Sequence, residues 1–303
     1  MSIRPVLETR KGTPTLEGAG VHLHRAFGFH DPSELDPFLL FDDFRNEHPA
    51  DYDKGFPWHP HRGIETITYV LSGEVEHSDS LGNQGALKAG DVQWMTAGSG
   101  IMHQEMPRGN SQGQMHGFQL WANLPSDLKM TDPRYQDVEA REIPEITDDD
   151  GTHVRVVTGE FWGKRGPVDG IAADPQYLDV SIPAGVKKTL PVDTYRRAFA
   201  YVFEGSGAFS DASAPTGVLL EKEVMGAEVN IRDMSGDRTL IRFGTGDEIT
   251  VQAGEQGLRF LLISGAPLQE PVAWHGPIVM NTRDEIRQAV KDLQNGTFIK
   301  PAH

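Results

Sequence analysis

The sequence predicts an all-β protein made of two tandem barrels and closed by one C-terminal α-helix. Three observations predict it. Short segments rich in β-branched and aromatic residues recur about every eight to twelve residues between glycine-rich turns, the pattern of a sandwich or barrel. The strand-turn signature of the first half returns in the second, as two copies of one unit require. A sustained amphipathic period of about 3.6 residues stands only near the C-terminus.

Taken in order, the first fifty residues hold the strand-like pieces SIRPVLE and GVHLHRAFG, then DPFLLFDDF, an apolar run flanked by Asp36, Asp42 and Asp43. The segment Ile64–Val75, IETITYVLSGEV, alternates as a strand does, and LSGEVEHSD reads as a hairpin through Ser72–Gly73. Turns follow at Gly82–Asn83 and at Ala89–Gly90–Asp91, with strands in VQWMTA and HGFQLWANLP. Residues 125–151 are polar, acidic and proline-bearing, with a helical turn at Pro125–Met130. The expected division is a first barrel at 1–130, an acidic linker at 131–150 and a second barrel at 151–303. Strand patterns resume in HVRVVTGEFWG, YLDVSIPAG, AFAYVFEGSGAF, VNIRDM, TLIRF, EITVQA and LRFLLISGAP. In NTRDEIRQAVKDLQNGTF, Ile286, Ala289, Val290 and Leu293 share a helix face. Thr282 is placed as N-cap with Glu285 as its capping-box partner, and Gly296 as the stop.

Composition narrows the function. A chain of 303 residues suits two domains. Mean hydropathy is −0.42, and no long apolar run or leader-like N-terminus is present, so neither membrane insertion nor export is expected. Cysteine is absent, which fits a reducing, cytoplasmic setting and removes thiolate chemistry. A net charge of −16 without a basic stretch argues against direct nucleic-acid binding and leaves room for a protein partner.

The candidate site lies between Gly55 and Pro107. His59 and His61 are two apart, as are His103 and Glu105. In a strand such pairs face one way, so three imidazoles and a carboxylate can converge on a metal such as iron, nickel, copper or zinc. Counting parity onward from His61, Glu65 also faces inward, and spacing alone does not choose between Glu65 and Glu105. His22-x-His24 has no comparable surroundings, and with His30, His77, His153, His275 and His303 it reads as surface or hydrogen-bonded histidine. Phe56, Trp58, Met95, Met102 and Met106 flank the ligand strands, as cavity mouth or as barrel core.

The repeat supplies a comparison. ETITYVLSGEVEHSDS aligns with RAFAYVFEGSGAFSDA, setting Gly73 on Gly205; AGDVQWMTAGSGIMHQEM aligns with TGDEITVQAGEQGLRFLL. On these pairings His59, His61 and Glu65 fall on Pro191, Asp193 and Arg197, and His103 and Glu105 on Arg259 and Leu261. The second copy is expected to keep the scaffold and lack the site.

The ordered pattern of glycines and ligands resembles the two motifs of the cupin superfamily. DPFLLFDDF, FPWHPHRGIETITYVLSGEVEHSDSLGN, GDVQWMTAGSGIMHQEMP, FQLWANLP and GPIVMNTRDEI resemble, more closely, the pirin family. The resemblance implies two cupin barrels (double-stranded β-helix, or jelly roll) with Fe(II) in the first only, other divalent transition metals being compatible. It implies His59, His61, His103 and Glu105 as ligands, Glu105 over Glu65, with Glu65 behind them or held by Arg62. It implies a quercetin 2,3-dioxygenase-like enzyme taking O₂ and a small aromatic, flavonol-like substrate, with Glu105 as the base. The alternative it carries is a non-catalytic iron-binding regulator acting through protein contact, as a transcriptional co-regulator; a metabolite-binding cupin with structural metal is a third reading. A monomer is the default for a chain that carries both barrels.

Overall fold

The computed structural model describes residues 2–29, 32–168, 172–209, 221–224, 227–230 and 234–300, with side chains left aside over 221–230. His30, His303 and part of the expected strand VNIRDM lie outside them. Among the described residues no helix is long and apolar enough to cross a membrane. The architecture is all-β with one α-helix, α1 (Arg283–Asn295), at the C-terminus.

The chain forms two compact units, divided otherwise than composition suggests. One contains Met1–Gly12 and Ile143–Pro267; the other contains Thr13–Glu142 and Leu268–His303. The first strand, β1 (Val6–Lys11), pairs antiparallel with Thr239–Phe243 and so belongs to the later barrel. The helix α1 packs in the earlier unit, where Ala289 joins Ile278, Met280 and Phe298 in a small core. The acidic stretch is structured too, since Arg134–Val138 pairs with Val92–Thr96 and Glu145–Thr147 with His153–Arg155. Composition misleads here because an edge strand needs one apolar face at most, and its backbone is satisfied by the ladder whatever its side chains.

Up to Glu142 the strands of the earlier unit are β2 (Thr13–Glu17), β3 (Val21–Gly28), β4 (Phe38–Asp43), β5 (Phe56–His61), β6 (Ile64–Ser72), β7 (Glu74–Asp79), β8 (Gln84–Leu87), β9 (Val92–Thr96), β10 (Ile101–Arg108), β11 (His116–Asn123) and β12 (Arg134–Val138). They form a seven-stranded sheet ordered β12-β9-β6-β11-β4-β3-β2 and a four-stranded sheet ordered β5-β10-β7-β8. The expected hairpin at Ser72–Gly73 is instead a corner, because β6 and β7 lie in different sheets. Gly73 permits it: its φ is +77°, and a Cβ there would lie 2.4 Å from Arg108 O. The β7–β8 hairpin is real. Asp79 Oδ1 accepts from Leu81 N and Asn83 N at 2.8 and 2.9 Å, a side-chain lock on the turn.

The helix begins and ends as its sequence indicates. Thr282 caps it, the reciprocal bonds with Glu285 are both present, and Gly296 adopts the left-handed conformation at φ 71°. Arg62 anchors this region. It donates to Ser99 O at 2.6 Å, Asp292 Oδ2 at 2.6 Å and Phe298 O at 3.0 Å, with its guanidinium 4.2 Å from the Phe298 ring centre.

The later barrel is filled with aliphatic and aromatic side chains contributed by His153–Thr158, Gln176–Ile182, Lys187–Pro191, Arg197–Phe209, Thr239–Phe243 and Glu248–Gly265. Each such fully buried side chain contributes roughly 1.5–3 kcal/mol relative to exposure.

Candidate metal centre

The two ligand-bearing strands are neighbours. β5 pairs antiparallel with β10, setting His103 opposite His59 and Ile101 opposite His61. β5 is an edge strand, which is where a strand carrying Pro57 and Pro60 can sit without leaving the ladder short of donors. β10 is buried on alternate residues, Ile101, His103, Glu105 and Pro107, so His103 and Glu105 share the inward face.

The three imidazoles meet. Ring centres of His59 and His103 are 4.4 Å apart, of His61 and His103 5.0 Å, and of His59 and His61 4.8 Å. One nitrogen from each lies within 4.8 Å of the other two. Backbone carbonyls set the tautomers of two rings: His59 Nδ1 bonds Pro57 O at 2.9 Å and His61 Nδ1 bonds Pro277 O at 3.2 Å. A carbonyl only accepts, so each Nδ1 carries the proton and each Nε2 presents a lone pair. Those two Nε2 atoms are 3.0 Å apart. Burial lowers the pKa of His59 and holds His61 and His103 well below the usual histidine range, the neighbouring imidazoles adding to the effect. Neither nitrogen of buried His103 has a hydrogen-bond partner. Neutral lone pairs converging in a dry place, with orienting carbonyls behind them, are what an imidazole-bound transition metal requires, so these residues fit such an ion.

Among the described residues the grouping contains the three histidines; the Glu105 carboxyl stands outside it. Thr68 Oγ1 lies 3.2 Å from Glu105 Oε1. Burial pushes the Glu105 carboxyl up to about 7 against that hydrogen bond. Glu65 is placed differently from the parity expectation. Thr68 lines the cavity while Glu65, three residues away on the same strand, does not. The count from His61 fails because β5 ends at His61 and β6 begins at Ile64 in another sheet, with Gly63 at φ +78° between them. Nor does Arg62 hold Glu65. The carboxyl accepts from Thr96 Oγ1 at 2.7 Å, its Oε2 is buried without a partner, and burial raises its pKa to about 7.

A cavity of about 390 Å³ opens on His59, His61 and Glu105, within the usual size for a small-molecule site. Of the five flanking hydrophobics, Phe56 lines it. Trp58 is half exposed, Met95 is core, and Met102 and Met106 fall on the outer face of β10. Sequence reasoning missed Arg25, Asp42, Gln119 and Trp121, which line the cavity from the other sheet. Trp121 sets its ring edge-on to His61 at 5.1 Å. The alternation in FQLWAN was a usable signal for the β11 pair, whereas Arg25 had none.

Among the described residues the later barrel holds no such cluster, and the positions that match the ligands are not those the sequence alignment indicated. With Gly205 on Gly73, Gly207 pairs with Ala253 as Val75 pairs with Pro107. Stepping back along each strand places Val251 on Glu105 and Ile249 on His103. Leu190 then faces Ile249 as His59 faces His103, which puts Val192 on His61. Leu190, Val192, Ile249 and Val251 all belong to the aliphatic core. The alignment slipped because the later copy has two glycine-aspartate turns, Gly236–Asp237 and Gly246–Asp247, and the sequence pairing set the second of them on Gly90–Asp91.

Fold and site together define a bicupin, two cupin barrels of which one carries a three-histidine cluster. The pirin family model matches residues 20–122, and that of the pirin C-terminal cupin domain matches residues 177–299. A pirin-like protein of Caulobacter vibrioides is 44% identical over 299 residues, 98% of this chain and 100% of that one. Human pirin is 38% identical over 281 residues, covering 92% of this chain and 88% of its own. The crystal structure of quercetin 2,3-dioxygenase from Acinetobacter baumannii matches with a TM-score of 0.84 at 33% identity, over 98% of this chain and 99% of that one. The chain belongs to the pirin family.

Proposed function

We propose that this pirin is an Fe(II)-dependent dioxygenase that opens the ring of flavonols such as quercetin. The observation that carries the reading is the cavity of about 390 Å³ with His59, His61 and Glu105 in its wall, His103 completing the cluster. The likeness to the Acinetobacter baumannii enzyme supports it. His59, His61, His103 and Glu105 would hold the ion, which supplies Lewis acidity and one-electron redox chemistry toward O₂ when bound.

The protein's own groups then have distinct parts. The apolar walls, Leu23, Leu40, Phe44 and Trp121 among them, exclude water and accept the planar rings. Glu105 takes the proton of the flavonol 3-hydroxyl, because a carboxyl raised to about 7 is matched to proton transfer near neutral pH. Thr68 Oγ1 steadies that carboxyl. The backbone carbonyls of Pro57 and Pro277 keep the two imidazoles in the ligating tautomer.

An aerobic assay of the iron-loaded protein with quercetin, following loss of flavonol absorbance and release of carbon monoxide, tests this. Turnover that needs iron is the expected result. Full iron occupancy without turnover sinks the quercetin reading and favours a metal-binding regulator that works through protein contact, for which a net charge of −16 suits a basic protein surface.

A further inference from the structure

Six residues on six adjacent strands stand in one row across the seven-stranded sheet. Arg25 on β3 faces Asp42 on β4, Asp42 faces Gln119 on β11, Gln119 faces Thr68 on β6, Thr68 faces Gln93 on β9, and Gln93 faces Asp137 on β12. Directly paired residues share a face of the sheet, and Arg25, Asp42, Gln119 and Thr68 line the cavity.

The later barrel holds the same row in the same register, occupied by Val156, Leu178, Leu262, Ala200, Ile241 and Thr9. All but Thr9 lie in its hydrophobic core. The fold therefore fills this row with aliphatics where nothing else is asked of it. Replacing a buried ion pair by well-packed aliphatics is often neutral or stabilising, so the polar row of the earlier barrel is a departure from what the fold needs.

Its wiring indicates what it receives. Arg25 donates from Nε and Nη2 to the two Asp42 oxygens at 2.8 and 2.7 Å, and its Nη1 lies 2.8 Å from Glu17 Oε1. The guanidinium also covers the Phe29 ring at 4.9 Å. Its charge is thus matched by two carboxylates, and a ligand carboxylate would meet net negative charge. Each Asp42 oxygen keeps a lone pair beyond its Arg25 bond. Thr68 Oγ1 shares its one proton between Gln119 Oε1 at 2.8 Å and Glu105 Oε1 at 3.2 Å, which leaves the Gln119 amide nitrogen as the donor of that side chain. Burial raises Asp42 to about 6 in spite of Arg25, a desolvation that a hydroxyl donor would relieve.

We propose that Arg25, Asp42 and Gln119 form a specificity wall that recognises the ring hydroxyls of an uncharged polyphenol and rejects carboxylated aromatics of similar size. The ligand class rests on the flavonol reading above.

The test is anaerobic binding to the zinc-loaded protein, followed by tryptophan fluorescence. Quercetin is compared with 3-hydroxyflavone, which lacks the other ring hydroxyls. Two variants are used: Gln119→Leu, and Arg25→Val combined with Asp42→Leu, which copies the Val156–Leu178 pair that already packs in the later barrel. Wild type is expected to prefer quercetin by about tenfold or more, the worth of one or two hydrogen bonds. Each variant is expected to reduce that preference to below about threefold with zinc content unchanged. If the double variant does not fold, Gln119→Leu decides. A preference that survives in the variants overturns the wall. Equal binding of both flavonols by wild type overturns the wall alone, and binding of neither overturns the wall and the flavonol reading together.

Discussion

His59 Nε2 and His61 Nε2 face each other at 3.0 Å, with both Nδ1 protons turned away to the carbonyls of Pro57 and Pro277. Neither nitrogen can donate to the other while the rings are neutral, and burial keeps them neutral. The contact makes sense as two ligands aimed at one cation.

Proton competition follows from the same shifts. Histidines whose pKa is lowered begin to bind protons only below about 6.5, whereas Glu105, raised to about 7, binds one as pH falls through neutrality. If Glu105 is the fourth ligand, metal affinity falls about tenfold per pH unit below 7. In Glu105→Gln that slope should vanish down to about pH 6.5, with much of the metal retained and any oxygenase activity lost. Competition titrations with a chelator at a series of pH values measure it. An identical slope in the variant removes Glu105 from the ligand set.

Glu65 should affect stability and not metal. Its carboxyl is raised from 4.5 to about 7, so the folded state holds a proton that the unfolded state has released across that window. The stabilisation is whole below pH 4.5 and is lost as pH rises through 7, about 3 kcal/mol by pH 8. Glu65→Gln should flatten this pH dependence in urea unfolding and keep full metal content. Loss of metal would put Glu65 back among the ligands.

The Arg62 anchor ties the metal strand to the C-terminal segment. Arg62 follows His61, while Pro277, whose carbonyl orients His61, lies just before the strand Ile278–Met280 that packs on α1. Arg62→Met should cost about 3 kcal/mol, because it strands buried carbonyl acceptors and Asp292. It should also speed metal loss to a chelator. Asp292→Asn, which keeps the shape and loses the charge, should cost about 1 kcal/mol. Unchanged metal release in Arg62→Met would show that His61 is held without this anchor.

What could be read from sequence was local. The alternation of β10, the i, i+2 histidines and the capping box at Thr282 all lie within a few residues of one another, and each is found as read. What could not be read depends on pairing between distant strands. Gly63 and Gly73 move the chain from sheet to sheet, so parity counted through them puts Glu65 on the wrong face and makes a hairpin of a corner. Arg25, Asp42 and Gln119 stand side by side only because β3, β4 and β11 are neighbours. The fate of the site in the later barrel was legible as a loss of histidine. Its aliphatic replacement by Leu190, Val192, Ile249 and Val251 needed the register.

One metal ion per chain, held by His59, His61 and His103, is the claim on which the rest depends. Anaerobic titration of metal-free protein with Fe(II), followed by gel filtration and element-resolved mass analysis, tests it most directly. Wild type is predicted to retain one iron per chain, and His61→Ala and His103→Ala essentially none, with each variant's fold confirmed by circular dichroism. Full iron retention by either folded variant would contradict the assignment.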